Sequence, residues 1–192
     1  MAFFLYFCSM VMEEIIDKTV AILHAGGTIL YPTDTIWGIG CDARNKEAVE
    51  RIYAIKERDH SKSMLLLVES EKWSVAKGER PTTFILPRKE WEPLLGADIA
   101  VNLPAADESL GIRVPNHLFC REIIRRLKAP IVSTSANFSG RPSPSNYAEI
   151  EEDLKKLVDY CVPPLTEFLS NETKGSRIVK IGVDGKQMII RT

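Results

Sequence analysis

The sequence predicts a single α/β domain built on a twisted mixed sheet with flanking helices, and three observations lead there. Strand-like and helix-like segments interleave along the 192 residues, the order that packs helices onto a sheet. Residues 64–68 are apolar throughout, the pattern of a strand buried on both faces. Two further strand candidates, 177–183 and 186–191, flank Asp184-Gly185, which reads as a tight hairpin turn. A terminal hairpin makes the sheet mixed and not purely parallel.

Taken in order, residues 13–24 place Ile15, Ile16, Thr19, Val20, Ile22 and Leu23 on one helical stripe. Gly26-Gly27 closes it, as glycine does past a helix end. Thr28-Ile29-Leu30-Tyr31 is β-rich and stops at Pro32. Asn45 is an N-cap for a second helix that turns Val49, Ile52, Tyr53 and Ile55 inward. Residues 83–86 and 111–114 are strand candidates, 118–127 has helical spacing, and Ile131-Val132 begins another strand. A polar stretch covers 133–144, and a charged helix is expected near 146–157. No repeat, low-complexity tract or linker interrupts the chain, so 12–192 reads as one domain. Residues 1–12 are apolar but shorter than the ~20 residues a membrane span needs. They also lack the preceding Lys or Arg of a signal peptide. The expectation is that 1–11 is an extension ahead of a start at Met10 or Met12, with a membrane anchor as the alternative.

Composition narrows the function classes. Lys+Arg is 25 against Asp+Glu at 26, which excludes a generally basic, nucleic-acid-coating protein but leaves room for a local basic groove. Cys8, Cys41, Cys120 and Cys161 form no C-x-x-C, and His24, His60 and His117 are dispersed. A zinc site or a Cys/His nucleophile pair is therefore not expected. Free thiols in a reducing, cytoplasmic compartment are.

Four segments could carry chemistry. In Pro32-Thr33-Asp34-Thr35-Ile36-Trp37-Gly38-Ile39-Gly40 a strand end presents two hydroxyls and a carboxylate, followed by glycines that permit close backbone approach to a ligand. A turn with side chains bonded to its own backbone is the bland alternative. Lys56-Glu57-Arg58, with Lys62 beyond, either complements a helix dipole or clamps a polyphosphate. In an extended segment residues two apart share a face, so Lys56 and Arg58 could grip one anion, with the arginine fork and the lysine point charge acting together. The run Ser133-Thr134-Ser135-Ala136-Asn137-Phe138-Ser139-Gly140-Arg141-Pro142-Ser143 follows a strand end. It is either a solvated loop or an anion cradle. No P-loop, dinucleotide fingerprint or nucleophile-elbow motif occurs. Arg113, in the strand-like Gly111-Ile112-Arg113-Val114, must find an anion if buried. A substrate carboxylate or a structural acid would serve.

These segments, in this order, resemble the YrdC-like threonylcarbamoyl-AMP synthase family. The carriers are GGTILYPTDTIWGIGCDA, IYAIKERDHSKSMLLLV, PTTFIL, LGIRVP, PIVSTSANFSGRPSP and the terminal SRIVKI and IIR, from about Gly26 to Arg191. The resemblance implies a YrdC-like (DHBP-synthase-like) fold and a nucleotidyltransferase that joins ATP, bicarbonate and L-threonine into threonylcarbamoyl-adenylate, releasing pyrophosphate. Magnesium would be carried by the triphosphate. A separate threonylcarbamoyl transferase complex would then modify tRNA. It further implies that Thr35, Arg113, Ser133 and Ser176 hold threonine. Lys56, Arg58, Lys62, Ser109, Ser135, Asn137, Ser143 and Arg191 would hold ATP, with Lys56 and Arg58 catalytic.

The chain departs from the family pattern at four places. Ser63 follows Lys62 where a proline is usual. Arg80-Pro81-Thr82-Thr83 replaces P-G-P-x-T. The 69–80 region is short for the helix found there, and Leu67 stands where some members have a threonine-contacting histidine. Three other readings share the fold. They are a double-stranded RNA-binding or ribosome-maturation protein, a YciO-like protein, and a carbamoyl-transferring domain like those of hydrogenase maturation.

Overall fold

The computed structural model describes residues 2–57, 64–69, 80–96, 98–165 and 174–192, with the backbone alone for 2–9. Among them the first helix, α1 (Ala2–His24), begins earlier than the residue-13 start expected and runs through the apolar N-terminus. The backbone then reverses at Gly26, whose φ of 78° suits glycine. Strands β1 (Ile29–Tyr31) and β2 (Gly38–Gly40) follow. Helix α2 (Lys46–Lys56) starts as expected, with the Asn45 side chain accepting from the Ala48 amide. Next come β3 (Leu65–Leu67), β4 (Thr82–Leu86), α3 (Arg88–Leu95) and β5 (Leu110–Arg113). Helix α4 (Leu118–Leu127) occupies the span its apolar period marks, and β6 (Ile131–Ser135) follows.

The expected helix near 146–157 divides. A 3-10 turn at Tyr147–Glu149, capped by Asn146, precedes α5 (Glu152–Leu157), because Ile150 is extended between them. The chain closes with β7 (Tyr160–Cys161), β8 (Arg177–Ile181) and β9 (Gln187–Arg191). The last hairpin is looser than a two-residue turn. Gly182 N–H donates to Lys186 O at 2.8 Å, so the loop closes over residues 182–186.

The nine described strands form one mixed sheet in the order β7-β1-β2-β6-β3-β5-β4-β8-β9. Pairs β1–β7, β3–β5 and β4–β8 are parallel and the other neighbours antiparallel. The period of two sorts side chains between the faces. Leu30, Leu66, Ile112 and Val132 join one core cluster with Ile52 of α2 and Trp91 of α3. Ile29, Tyr31, Leu67 and Ile131 join a second with Ile16 and Leu23 of α1 and Phe119 and Ile123 of α4.

That second face is only partly covered. Leu67 and Ile131 lie in the α1–α4 cluster; of the next residues of the same parity, Leu65 packs partly against that cluster and, with Ser133, lines an open cavity. The cavity is the stretch of sheet surface that the two helices leave bare.

Candidate active site

The cavity has a volume of about 270 Å³. Its floor is the same-face residues of β3, β5 and β6, and its walls come from the β1–β2 turn and the start of β8. Seven of the residues singled out in the sequence line it. Thr35, Arg113, Ser133 and Ser176 are the four assigned to threonine; Ser135, Ser143 and Arg191 belong to the set assigned to ATP. Residues from 35 to 191 meet there because the β1–β2 turn, β5, β6, the loop at Ser143, the segment before β8 and β9 all open on it.

Arg113 is the central cation, with its side chain 3% exposed. Its Nη1 donates to Thr35 Oγ1 at 2.7 Å, and its Nη2 lies 3.4 Å from Asp34 Oδ1. Asp34 Oδ2 accepts from the Asn116 amide at 2.9 Å. Arg113 Nε and Asp34 Oδ1 are buried without a hydrogen-bond partner, so the pair is closely opposed yet incompletely satisfied. Of the two alternatives for Arg113, the structural acid is present as Asp34, and the guanidinium also opens on a hydroxyl-lined cavity. Thr35 is itself set by Thr33, whose Oγ1 accepts from the Thr35 amide at 3.1 Å and donates to Ile36 O at 2.8 Å.

The opposite wall is also organised around a guanidinium. Arg191 donates from Nε and Nη2 to Ser176 O at 2.9 and 2.7 Å. A Cβ on Gly175 would sit 2.8 Å from its Nη2, so the glycine leaves the guanidinium room. Burial, then the charges of Arg80 and Arg113, push the Arg191 pKa down. Arg80 donates to the neighbouring carbonyl, Gly175 O, at 2.9 Å. The Ser176 hydroxyl is 2.7 Å from that of Thr83. Gly38, one of the glycines expected to let a ligand approach, also lines the cavity, as does Thr83, which was not singled out in the sequence. A hydroxyl facing away from the core within the apolar strand Thr82–Leu86 was the available signal for Thr83.

Of the other assigned residues, Lys56, Ser109 and Asn137 are described and do not line the cavity. Ser109 donates to Asp107 Oδ1 at 2.6 Å. Asn137 spends its amide on Phe138 O and Arg141 O, at 3.0 and 2.6 Å. Lys56 corrects the geometric argument made for it: it is the last residue of α2, and Glu57 behind it is left-handed at φ 49°, so it does not lie in an extended segment. Its ammonium is buried against the 135–137 backbone. Arg58, Lys62 and Ser63, and most of the 69–80 region, lie outside the described residues.

Cys41 and Cys120 are buried free thiols, and Cys161 is a partly buried one. Burial raises the pKa of Cys120 well above the usual thiol range, so neither chemistry nor geometry makes it a nucleophile. Among the described residues no group of three or more His, Cys, Asp or Glu side chains could hold a metal ion, and no helix is long and apolar enough to cross a membrane.

A mixed sheet whose bare end gathers arginines and hydroxyls defines an α/β domain with a cavity chemically suited to an anion. The chain belongs to the Sua5/YciO/YrdC family, described as "Telomere recombination", which matches residues 21–192. A threonylcarbamoyl-AMP synthase of Stenotrophomonas maltophilia (strain K279a) is 31% identical over 180 residues, covering 84% of this chain and 93% of that protein. Another, of Xanthomonas euvesicatoria pv. vesicatoria (strain 85-10), is 30% identical over 176 residues, covering 83% and 90%. The crystal structure of E. coli YciO superposes with a TM-score of 0.70 at 23% identity, over 93% of this chain and 88% of that one. P. abyssi Sua5 complexed with L-threonine gives 0.68 at 21%, over 86% of this chain and 50% of that one. At those identities the structural likeness shows the fold, and this chain spans about half the length of the P. abyssi protein.

Proposed function

We propose that this chain is a threonylcarbamoyl-AMP synthase. It would join L-threonine, bicarbonate and ATP, and its product would pass to a threonylcarbamoyl transferase complex acting on tRNA in the cytoplasm. The observation that carries the reading is Arg113: a buried guanidinium bonded to Thr35 and opening on a hydroxyl-lined cavity. The names of the relatives support it.

The chemistry suits these residues. The threonine amine and bicarbonate condense to a carbamate with loss of water. A carbamate oxygen then attacks the α-phosphorus of ATP, and the bond to the bridging oxygen of pyrophosphate breaks. No protein nucleophile is needed; charge on the phosphoryl oxygens is met by fixed cations and donors. ATP enters as its magnesium complex, the metal belonging to the substrate.

Arg113 and Thr35 take the threonine carboxylate and hydroxyl, with Ser133 and Ser176 beside them. Arg191, Ser135 and Ser143 face the triphosphate, and the resemblance assigns Arg58 and Lys62 to the same ligand. Lys56 and Asn137 support the 135–141 loop from outside the cavity, and Ser109 bonds Asp107. The test is pyrophosphate release that requires threonine and bicarbonate together, with mass-spectrometric identification of threonylcarbamoyl-adenylate. Release with ATP alone, or no adenylate product, would overturn the assignment.

A further inference from the structure

The geometry points to Lys56 as a positioning residue for the serine loop and not as a phosphate ligand. Its ammonium is a clasp that holds residues 135–139 in the shape that presents Ser135 to the cavity. The inference rests on the ATP-binding reading above only where ATP is the probe.

Donor arithmetic carries the argument. A lysine ammonium has three N–H donors and no acceptor. Lys56 Nζ lies 2.5 Å from Ser135 O, in hydrogen-bond contact with Asn137 O, 3.2 Å from Asn137 Oδ1 and 3.4 Å from Ser135 Oγ. The two backbone carbonyls and the Asn137 side chain use all three protons. The residue is also 2% exposed and does not line the cavity. A phosphate oxygen would have to displace an internal carbonyl and leave it buried without a donor, which opposes the exchange.

The grip is two-sided. Lys56 O accepts from the Ser139 amide at 3.0 Å, so one residue holds both ends of the segment. Asn137 N–H donates to Ser135 O at 2.9 Å, and the Asn137 side chain ties the loop onward to Arg141 O. Carbonyls that converge on one point repel each other unless a cation sits among them. The loop therefore needs Lys56 charged, and Ser135 reaches the cavity because the loop is held.

Two experiments test this. In the wild-type protein, surface amines are acetylated with a water-soluble acylating reagent, with and without magnesium-ATP, and the modified lysines are read by mass spectrometry. The expected result is that Lys56 resists modification equally in both states. Modification in the free protein with protection by ATP would overturn the proposal, because it is the footprint of a ligand. This arm needs no turnover, so it stands apart from whether the chain makes the adenylate and does not depend on any variant folding.

In the second experiment Lys56→Met is compared with wild type. The amides of Asn137 and Ser139 should exchange hydrogen faster, and the KM for ATP should rise about tenfold or more while that for threonine changes little. The dependence of ATP affinity on ionic strength should keep its slope, since no charge–charge contact with the ligand has been removed. A flattened slope with unchanged loop exchange would assign Lys56 to the phosphates instead.

Discussion

Arg113 Nη1 donates to Thr35 Oγ1 at 2.7 Å, joining residues 78 positions apart. Asp34, the residue before Thr35, lies against the same guanidinium at 3.4 Å. The β1–β2 turn thus offers Arg113 both a hydroxyl and a charge. The two contacts have different consequences, and mutation can separate them.

Arg113→Met removes the cation and leaves Asp34 buried without it. Breaking a buried pair from one side costs about 3–5 kcal/mol, so the denaturant midpoint should fall sharply. Adding Asp34→Asn should recover much of that stability without restoring threonine binding. Charge-assisted hydrogen bonds contribute about 1.5–3 kcal/mol each, so threonine affinity should drop about ten- to a hundredfold. Isothermal titration of both variants checks this; threonine binding at wild-type strength in the double variant would remove Arg113 from the site.

Amino-acid selectivity follows from the same contacts. A ligand bound only by the native state raises the melting temperature. Threonine with ATP should give the largest shift, serine less for want of a methyl, and valine less for want of a hydroxyl. Thr35→Val should narrow the gap between threonine and valine. Equal shifts for threonine and valine in the wild-type protein would show that the cavity does not read the hydroxyl.

Gly40 is a purely steric requirement. A Cβ there would lie 2.3 Å from Val132 O and 2.8 Å from Tyr31 Cε1, and the carbonyl is backbone and cannot step aside. Gly40→Ala should therefore destabilise the fold by more than about 2 kcal/mol, in the upper part of the range of about 1–3 kcal/mol usual for overpacking. Gly140→Ala makes the contrast: no atom lies within 4 Å, but φ is 84°, so its smaller cost is backbone strain alone. Thermal denaturation of the two variants measures the difference.

Acid stability should depend on Asp107. Its hydrogen bonds from Lys180 first, and then from Ser109, lower its pKa from 3.8 to about 2. A depressed folded-state pKa adds stability that is fully present above pH 3.8 and is lost as pH falls toward 2. Asp107→Asn should flatten the stability profile in that window and leave it unchanged in shape near neutrality. Because the side chain is 54% exposed, solvent screening keeps the effect small. Urea midpoints between pH 2 and 5 are the measurement.

The contribution of the N-terminal residues to stability can be tested in two steps. Val11 and Met12 pack partly against the α1–α4 cluster, beside the buried Ile15 and Ile16. Deleting residues 1–9 should leave the melting temperature unchanged, whereas deletion through Met12 should lower it. A fall on the shorter deletion would bring residues 1–9 into the stabilising part of α1.

Local periodicity sufficed for several elements. Leu118–Leu127 is helical over the span its apolar spacing marks, and Asn45 caps α2, because both signals are complete within one or two turns. The candidate site was legible in part: a buried arginine in a strand and a run of hydroxyls after another strand are chemical anomalies visible without coordinates. β2 was not legible, since Gly-Ile-Gly has too few side chains to show a period and reads as a ligand-binding turn. It is a strand because β1 and β6 pair with it on either side. The surroundings of Lys56 were not legible for a related reason. Its place at a helix end is local, but what its charge meets lies 79 and 81 positions away. A sequence states which groups are charged or apolar and at what spacing along one element. Which carbonyls surround an ammonium depends on how separate elements are stacked, and only the packed sheet and its loops decide that.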